Sequence, residues 1–180
     1  MLKNMQIKYS IIGLWAVLCM ISCQKKQSAG DVAEYSPYEE ILTDQIHRMN
    51  DYDLQDTTRV GNHIYQYTIH READDSLGII EDDLGSKYAD NFYQLDILRD
   101  GSSFFSKRFT KKTFLSQLSA DFRKYGLLDG FRFSHSQDAK LYFSVCVSYP
   151  DSDMSSPFFL IIGPDGSFAI EKDNTGDMED

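Results

Sequence analysis

The chain has 180 residues, with 28 acidic residues against 18 basic ones and a formal net charge of −10. Nucleic-acid phosphates and anionic lipid headgroups repel such a surface, which excludes nucleic acid as the expected partner. The length suits about one domain, and no P-loop, dinucleotide fingerprint, Gly-x-Ser-x-Gly or His-Glu-x-x-His stands in the sequence to mark a common nucleotide-binding or hydrolytic enzyme.

The chain opens with Lys3 and Lys8, followed by an apolar run over residues 11–21 broken only by Gly13. That length suits the apolar core of a signal peptide and is short for a bilayer span. The run ends at Met20-Ile21-Ser22-Cys23, which resembles the lipobox of bacterial lipoproteins. Ser22 is the small residue expected before the cysteine, and Met20 stands where Leu is usual. Cys19 fits less well because bulky Leu18 precedes it. The resemblance implies removal of residues 1–22 and acylation of Cys23, with diacylglycerol on the thiol and a further chain such as palmitate on the amine. Each buried methylene contributes about 0.8 kcal/mol, and two or more chains hold where one does not. Gln24 in place of Asp, and the lack of an acidic cluster after Cys23, imply by the same likeness the outer membrane and its periplasmic face.

Cleavage would leave sixteen basic against 28 acidic residues, a charge of −12. Cys146 would then be the one free thiol, so no intramolecular disulfide forms and the fold rests on its core. Twelve Phe and eleven Tyr supply large buried area for that core.

Residues 23–35 are polar and small and read as a lipidated, flexible tether. Residues 36–54 read as a short helix and linker: Ser36 caps, Pro37 takes the first helical position and Glu39 completes a capping box. Tyr38, Ile41, Ile46 and Met49 give this helix a loose apolar stripe. A single α+β domain is expected over 55–172. From Thr57 the pattern turns to strands, with Tyr65, Tyr67 and Ile69 on one face. Residues 72–83 read as an acidic loop. Strands over 92–99 and 102–109 flank Asp100-Gly101, a hairpin signal. A two-residue loop pairs Ile97 with Phe104; a bulged loop pairs Leu95 with Phe105.

A helix is expected over 111–125, capped by Thr110, with Phe114, Leu115, Leu118, Phe122 and Tyr125 on one face and Gly126 as its stop. Ser119 could restart it, giving two short helices. Phe131 and Phe133 mark a strand. Residues 141–149 alternate cleanly, with Leu141, Phe143, Val145, Val147 and Tyr149 opposite Tyr142, Ser144, Cys146 and Ser148. Strands over 158–162 and 167–170 surround Gly163-Pro164-Asp165-Gly166, a type I turn. The first of these is apolar throughout, which predicts cover on both faces, and the 111–125 helix is the expected cover. Residues 173–180 read as a disordered acidic tail.

Ala89-Asp90-Asn91-Phe92, Arg99-Asp100-Gly101, Phe109-Thr110-Lys111-Lys112-Thr113-Phe114 and Leu128-Asp129-Gly130-Phe131, together with the lipobox, carry a further resemblance. It is to an uncharacterised lipoprotein family of Bacteroidetes, a domain of unknown function, over most of residues 55–172. These motifs are turns and strand starts, so the resemblance implies a fold and carries over no catalytic residue.

Candidate chemistry is sparse. His63 and His70 lie seven apart on one strand and point to opposite faces, which keeps them from sharing a metal. His47 falls in the first helix, and His135 could join His63 or His70 in a site only across the sheet. Asp51-Tyr52-Asp53 and Asp151-Ser152-Asp153 begin like calcium loops but lack the glycine and glutamate that complete one, so both read as surface turns. Glu81-Asp82-Asp83 reads as a solvated loop. Cys146 has no histidine placed beside it to act as a base. Asp75-Ser76-Leu77 and Asp56-Thr57-Thr58 resemble the O-glycosylation triplet of Bacteroidetes, which makes Ser76 and Thr57 candidate acceptors in or beside loops.

The expectation is therefore an α+β domain: an antiparallel sheet of six to seven strands, one main helix packed on a face and a short N-terminal helix. The expected role is a membrane-anchored, non-catalytic binding or accessory module of the cell envelope, without cofactor or metal. Its partners would be the bilayer, through the acylated N-terminus, and an envelope protein or glycan. Tyr65, Tyr67 and Tyr142 are the candidate ligand contacts. The alternatives are a carboxylate-dependent hydrolase acting on envelope polymers, a class that leaves no local signature, and a purely structural envelope protein.

Overall fold

The computed structural model describes residues 45–173. Cys23, the tether, the Ser36 cap and most of the acidic tail lie outside the described residues. What is described is a β-sandwich, not a helix packed on one sheet. Eleven strands form three sheets. The first four-stranded sheet joins β2 (Tyr52–Val60), β3 (His63–Ala73), β6 (Asn91–Arg99) and β7 (Ser102–Thr110). The second joins β8 (Leu127–Gln137), β9 (Lys140–Ser148), β10 (Ser155–Ile162) and β11 (Phe168–Lys172). A small sheet joins β1 (Ile46–His47), β5 (Lys87–Ala89) and β4 (Ile79–Glu81).

Alternation along the strands explains the layering. Tyr65, Tyr67 and Ile69 of β3 and Tyr93, Leu95 and Ile97 of β6 are buried. Leu141, Phe143, Val145 and Val147 of β9 and Phe158, Leu160 and Ile162 of β10 are buried too, and both sets belong to one core. Aromatic rings carry the contact between the sheets. Tyr67 stacks on Phe133 at 5.3 Å, Tyr93 stacks on Phe131 at 5.3 Å, and Phe109 meets Phe131 at 5.6 Å. The cover expected from a helix is thus supplied by a second sheet.

The helix expected over 111–125 is two fragments, α1 (Lys111–Phe114) and α2 (Ala120–Tyr125). The alternative break at Ser119 is the one realised: its side chain caps α2, accepting from the Phe122 N–H at 3.4 Å. Neither fragment is long enough to cover a sheet, and the apolar residues that looked like one face are divided between two jobs. Phe114 stacks on Phe158 at 5.7 Å in the core, whereas Phe122 packs on Tyr149 at 4.7 Å.

The short N-terminal helix is also corrected where it can be seen. Ile46 and His47 form β1, parallel to Lys87 and Tyr88 of β5, and β2 already begins at Tyr52. Both fall within the expected helix-and-linker segment. The loose stripe of Ile46 and Met49 could not hold a helix against this strand pairing. The start of β2 escaped notice because it is an edge strand, exposed at most positions, with no run of apolar alternation. The expected acidic loop over 72–83 includes the end of β3, a 3-10 turn (Asp75–Leu77) and β4.

Asp100 (φ 52°) and Gly101 (φ 80°) form the two-residue loop between β6 and β7, both in the left-handed region that such a loop demands. Arg99 pairs with Ser102 and Leu98 with Ser103, but a register shift then sets Ile97 opposite Phe105. Neither predicted register is realised, because the bulge comes two pairs after the turn. The 163–166 turn is as expected, with the Gly166 N–H donating to Gly163 O at 3.0 Å.

Candidate functional site

One end of the sandwich is held by a clasp between β6 and β8. Asp90 and Asn91 are buried there. Asp90 Oδ1 accepts from the Leu128 N–H at 3.0 Å, and Asn91 Nδ2 donates to Leu128 O at 3.0 Å. Two side chains thus pair one backbone unit as a neighbouring strand would. Asn91 Oδ1 is the one buried side-chain polar atom without a partner among the described residues.

The next residue, Asp129, is skipped by the ladder: Leu128 pairs with Val147 and Gly130 with Cys146. This β-bulge leaves the Asp129 carbonyl free of the sheet, and the Tyr93 hydroxyl donates to it. Burial is the main reason the Tyr93 phenol is pushed up to about 12. A bulge of this kind re-aims a side chain, and Asp129 lines a pocket of about 670 Å³.

Three other pieces complete the pocket wall. The first is Tyr88 of β5, whose ring stacks on His47 of β1 at 5.1 Å. The second is the β9–β10 turn, closed by the Tyr149 N–H donating to Met154 O at 3.0 Å, which brings Asp151, Ser152 and Asp153 to the rim. The Tyr88 hydroxyl donates to Asp151 at 2.8 Å, and burial, then this bond, pushes the Tyr88 phenol up to about 12. The third is apolar: Met49, Ala89, Leu127 and Pro150. Arg48 also lines the pocket, but its guanidinium pairs with Asp75 at 2.6 Å.

The profile of a family described as a domain of unknown function, DUF4738, matches residues 33–170. This chain belongs to that family. The match takes in every residue of the pocket. None of the curated proteins compared with the DUF4738 chain matches it.

The candidate contacts named from the sequence do not converge on this pocket. Tyr65 and Tyr67 are core residues of the DUF4738 domain. Tyr65 meets Phe104 edge-on at 5.5 Å, and Tyr67 reaches only as far as Asp56, donating at 3.3 Å. Their alternation, read as a contact face, is the inward face of β3. Tyr142 is half-buried on the outer face of the second sheet, stacked on His135 at 4.4 Å. Ser76 is exposed in the 3-10 turn. Thr57, expected in or beside a loop, instead sits mid-strand in β2, exposed and opposite Gln66.

His63 and His70 do take opposite faces, each with its own carboxylate: Asp100 at 2.5 Å and Asp53 at 2.8 Å. The Asp53 bond is the main reason the His70 imidazole is held above its ordinary range. Cys146 lies opposite the apolar face of β9, and burial pushes its thiol up, away from the reactive thiolate. A Cβ placed on Gly130 would lie 2.5 Å from the Cys146 sulfur. Gly130→Ala should therefore cost about 1–3 kcal/mol, and Cys146→Ala in the same chain should recover most of it. Urea melts of the four chains check this, and simple additivity would show that the contact is not the cause.

Sequence reasoning passed over Tyr88, set His47 in a helix, met Asp129 only as part of a strand start, and saw Asp151 and Asp153 only as a turn. One signal was present. Leu128, Phe131 and Phe133 all face the core, and the spacing of three before the spacing of two marks a residue too many for a regular strand.

Proposed function

We propose that this DUF4738 chain is an outer-membrane lipoprotein, anchored through Cys23 and facing the periplasm, whose sandwich binds another component of the cell envelope without catalysing a reaction. The anchoring rests on the lipobox-like Met20-Ile21-Ser22-Cys23. Cys23→Ser should move the protein from the membrane fraction to the soluble fraction; retention in the membrane would refute the anchor.

The binding role rests on the end pocket. Its volume, about 670 Å³, lies in the range of ligand sites, and it combines aromatic, apolar and charged walls. A purely structural protein has no use for such a cavity. The hydrolase reading draws on the same aspartates, but Asp151 and Asp153 are exposed on a turn. A turn open to water does not give a pair of carboxyls the enclosed surroundings of a catalytic site.

The test is in-cell photocrosslinking from position 152 at the rim, set against position 59 at the far end of the first sheet. Capture of one envelope component from 152 alone supports the reading. Equal capture from both positions, or none from 152, overturns it.

A further inference from the structure

We infer that the end pocket receives an organic cation, an ammonium or guanidinium carried on an apolar stem. This deepens the binding role proposed above and rests on it. The polar part of the pocket is acidic: Asp129, Asp151 and Asp153 face it, while Arg48, the one Lys or Arg in its wall among the described residues, is engaged by Asp75 at 2.6 Å. The side-chain carboxylates of Asp129 and Asp153 meet no hydrogen-bond or ion-pair partner among the described residues, the Tyr93 bond being to the Asp129 backbone carbonyl. Asp151 is oriented by the Tyr88 hydroxyl through Oδ2. An anion would meet unopposed carboxylates, and a neutral apolar ligand would strip them of water without replacement.

The rest of the wall selects among cations. Tyr88 and Tyr149 offer phenol rings, whose faces attract an alkylammonium or guanidinium. Met49, Leu127 and Pro150 offer surface for methylenes. No group of three metal-ligating side chains exists among the described residues, so a bare metal ion is the poorer fit. The volume exceeds one ammonium many times over, which leaves room for the stem. The bulge at Asp129 gives the pocket its carboxylate on the β8 side; regular pairing would have kept that residue in the ladder.

Two sources share this chemistry: a free polyamine, and a Lys or Arg side chain of an envelope polypeptide. Calorimetry on the full chain in detergent separates them, with cadaverine as one probe and N-acetyl-Gly-Lys-Gly-amide as the other. Hexanoate serves as the anionic control. Saturable binding of either probe supports the inference, provided Asp129→Asn with Asp151→Asn weakens it roughly tenfold or more and added salt weakens it too. Asp153→Asn, on the exposed turn, is the second variant should the pair fail to fold. Cadaverine alone assigns the free amine, and the peptide alone assigns a polypeptide. Binding of neither, equal binding of hexanoate, or binding indifferent to the aspartates overturns it. If position 152 still captures an envelope component when both probes fail, only the cation falls and the binding role stands.

Discussion

Lys111→Met should destabilise the fold by about 3–5 kcal/mol, the cost of leaving a buried carboxylate without its counter-charge. Lys111 Nζ lies 3.7 Å from Asp90 Oδ2 and donates to Gly126 O at 2.7 Å. The two side chains are only 13% and 5% exposed. Burial pulls the Lys111 ammonium below the ordinary lysine range, and Asp90 works against that pull. Lys111 thus stands in a site where either charge alone is costly. Asp90 also carries half of the clasp on Leu128, so its charge and its hydrogen bonds have separate effects. Asp90→Asn keeps an amide oxygen able to accept from the Leu128 N–H. The double variant, Asp90→Asn with Lys111→Met, should therefore recover most of the loss. Urea melts of the single and double variants decide it. A single variant within about 1 kcal/mol of the parent would mean that water reaches the pair.

This ion pair shows where sequence reading reached and where it stopped. Ala89-Asp90-Asn91-Phe92 and Leu128-Asp129-Gly130-Phe131 stood out as strand starts, and both are. What one-dimensional reading lacked was that the first motif grips the second, 37 or 38 residues away. The strands were legible wherever one face is buried: β3, β6 and β9 alternate because a strand's side chains do, and β10 stood out as a continuous apolar run. β2 was half missed because an edge strand with charged and hydroxyl side chains carries little alternation. The helix over 111–125 failed for a different reason. Its apolar spacing is real, but Phe114 and Phe122 serve different neighbours, and Ser119 offers the backbone a cap that competes with helical continuation. Once the helix shrinks to two fragments, the continuously apolar β10 needs another cover, and only a second layer of strands can supply it. The pocket was least legible of all. It is assembled from β1, β5, a bulge and a turn, and the local motifs that hold Ala89, Asp129 and Asp151 say nothing of their meeting.

Phe143→Ala is the second large effect expected, about 3–5 kcal/mol, and it tests the sandwich itself. Phe143 of β9 has no exposed surface. Its ring meets Tyr67 from the opposite sheet edge-on at 5.6 Å, and Phe131 and Phe133 of its own sheet at 5.9 and 5.6 Å. Removing it opens a cavity where the two layers touch, between rings too rigid to collapse into the gap. Phe159 of β10 is the internal comparison. It lies on the outer face of the same sheet, half-buried, edge-on to Tyr142 at 6.1 Å and His135 at 5.9 Å. Its truncation removes area that water already reaches in part, so Phe159→Ala should cost less than about 2 kcal/mol. The ordering of the two variants in urea melts of the full chain is the result that matters. If Phe159→Ala proved the costlier, the principal core would have to lie on the outer face of that sheet, as in a helix-covered sheet, and the two-layer arrangement that presents the end pocket would be wrong.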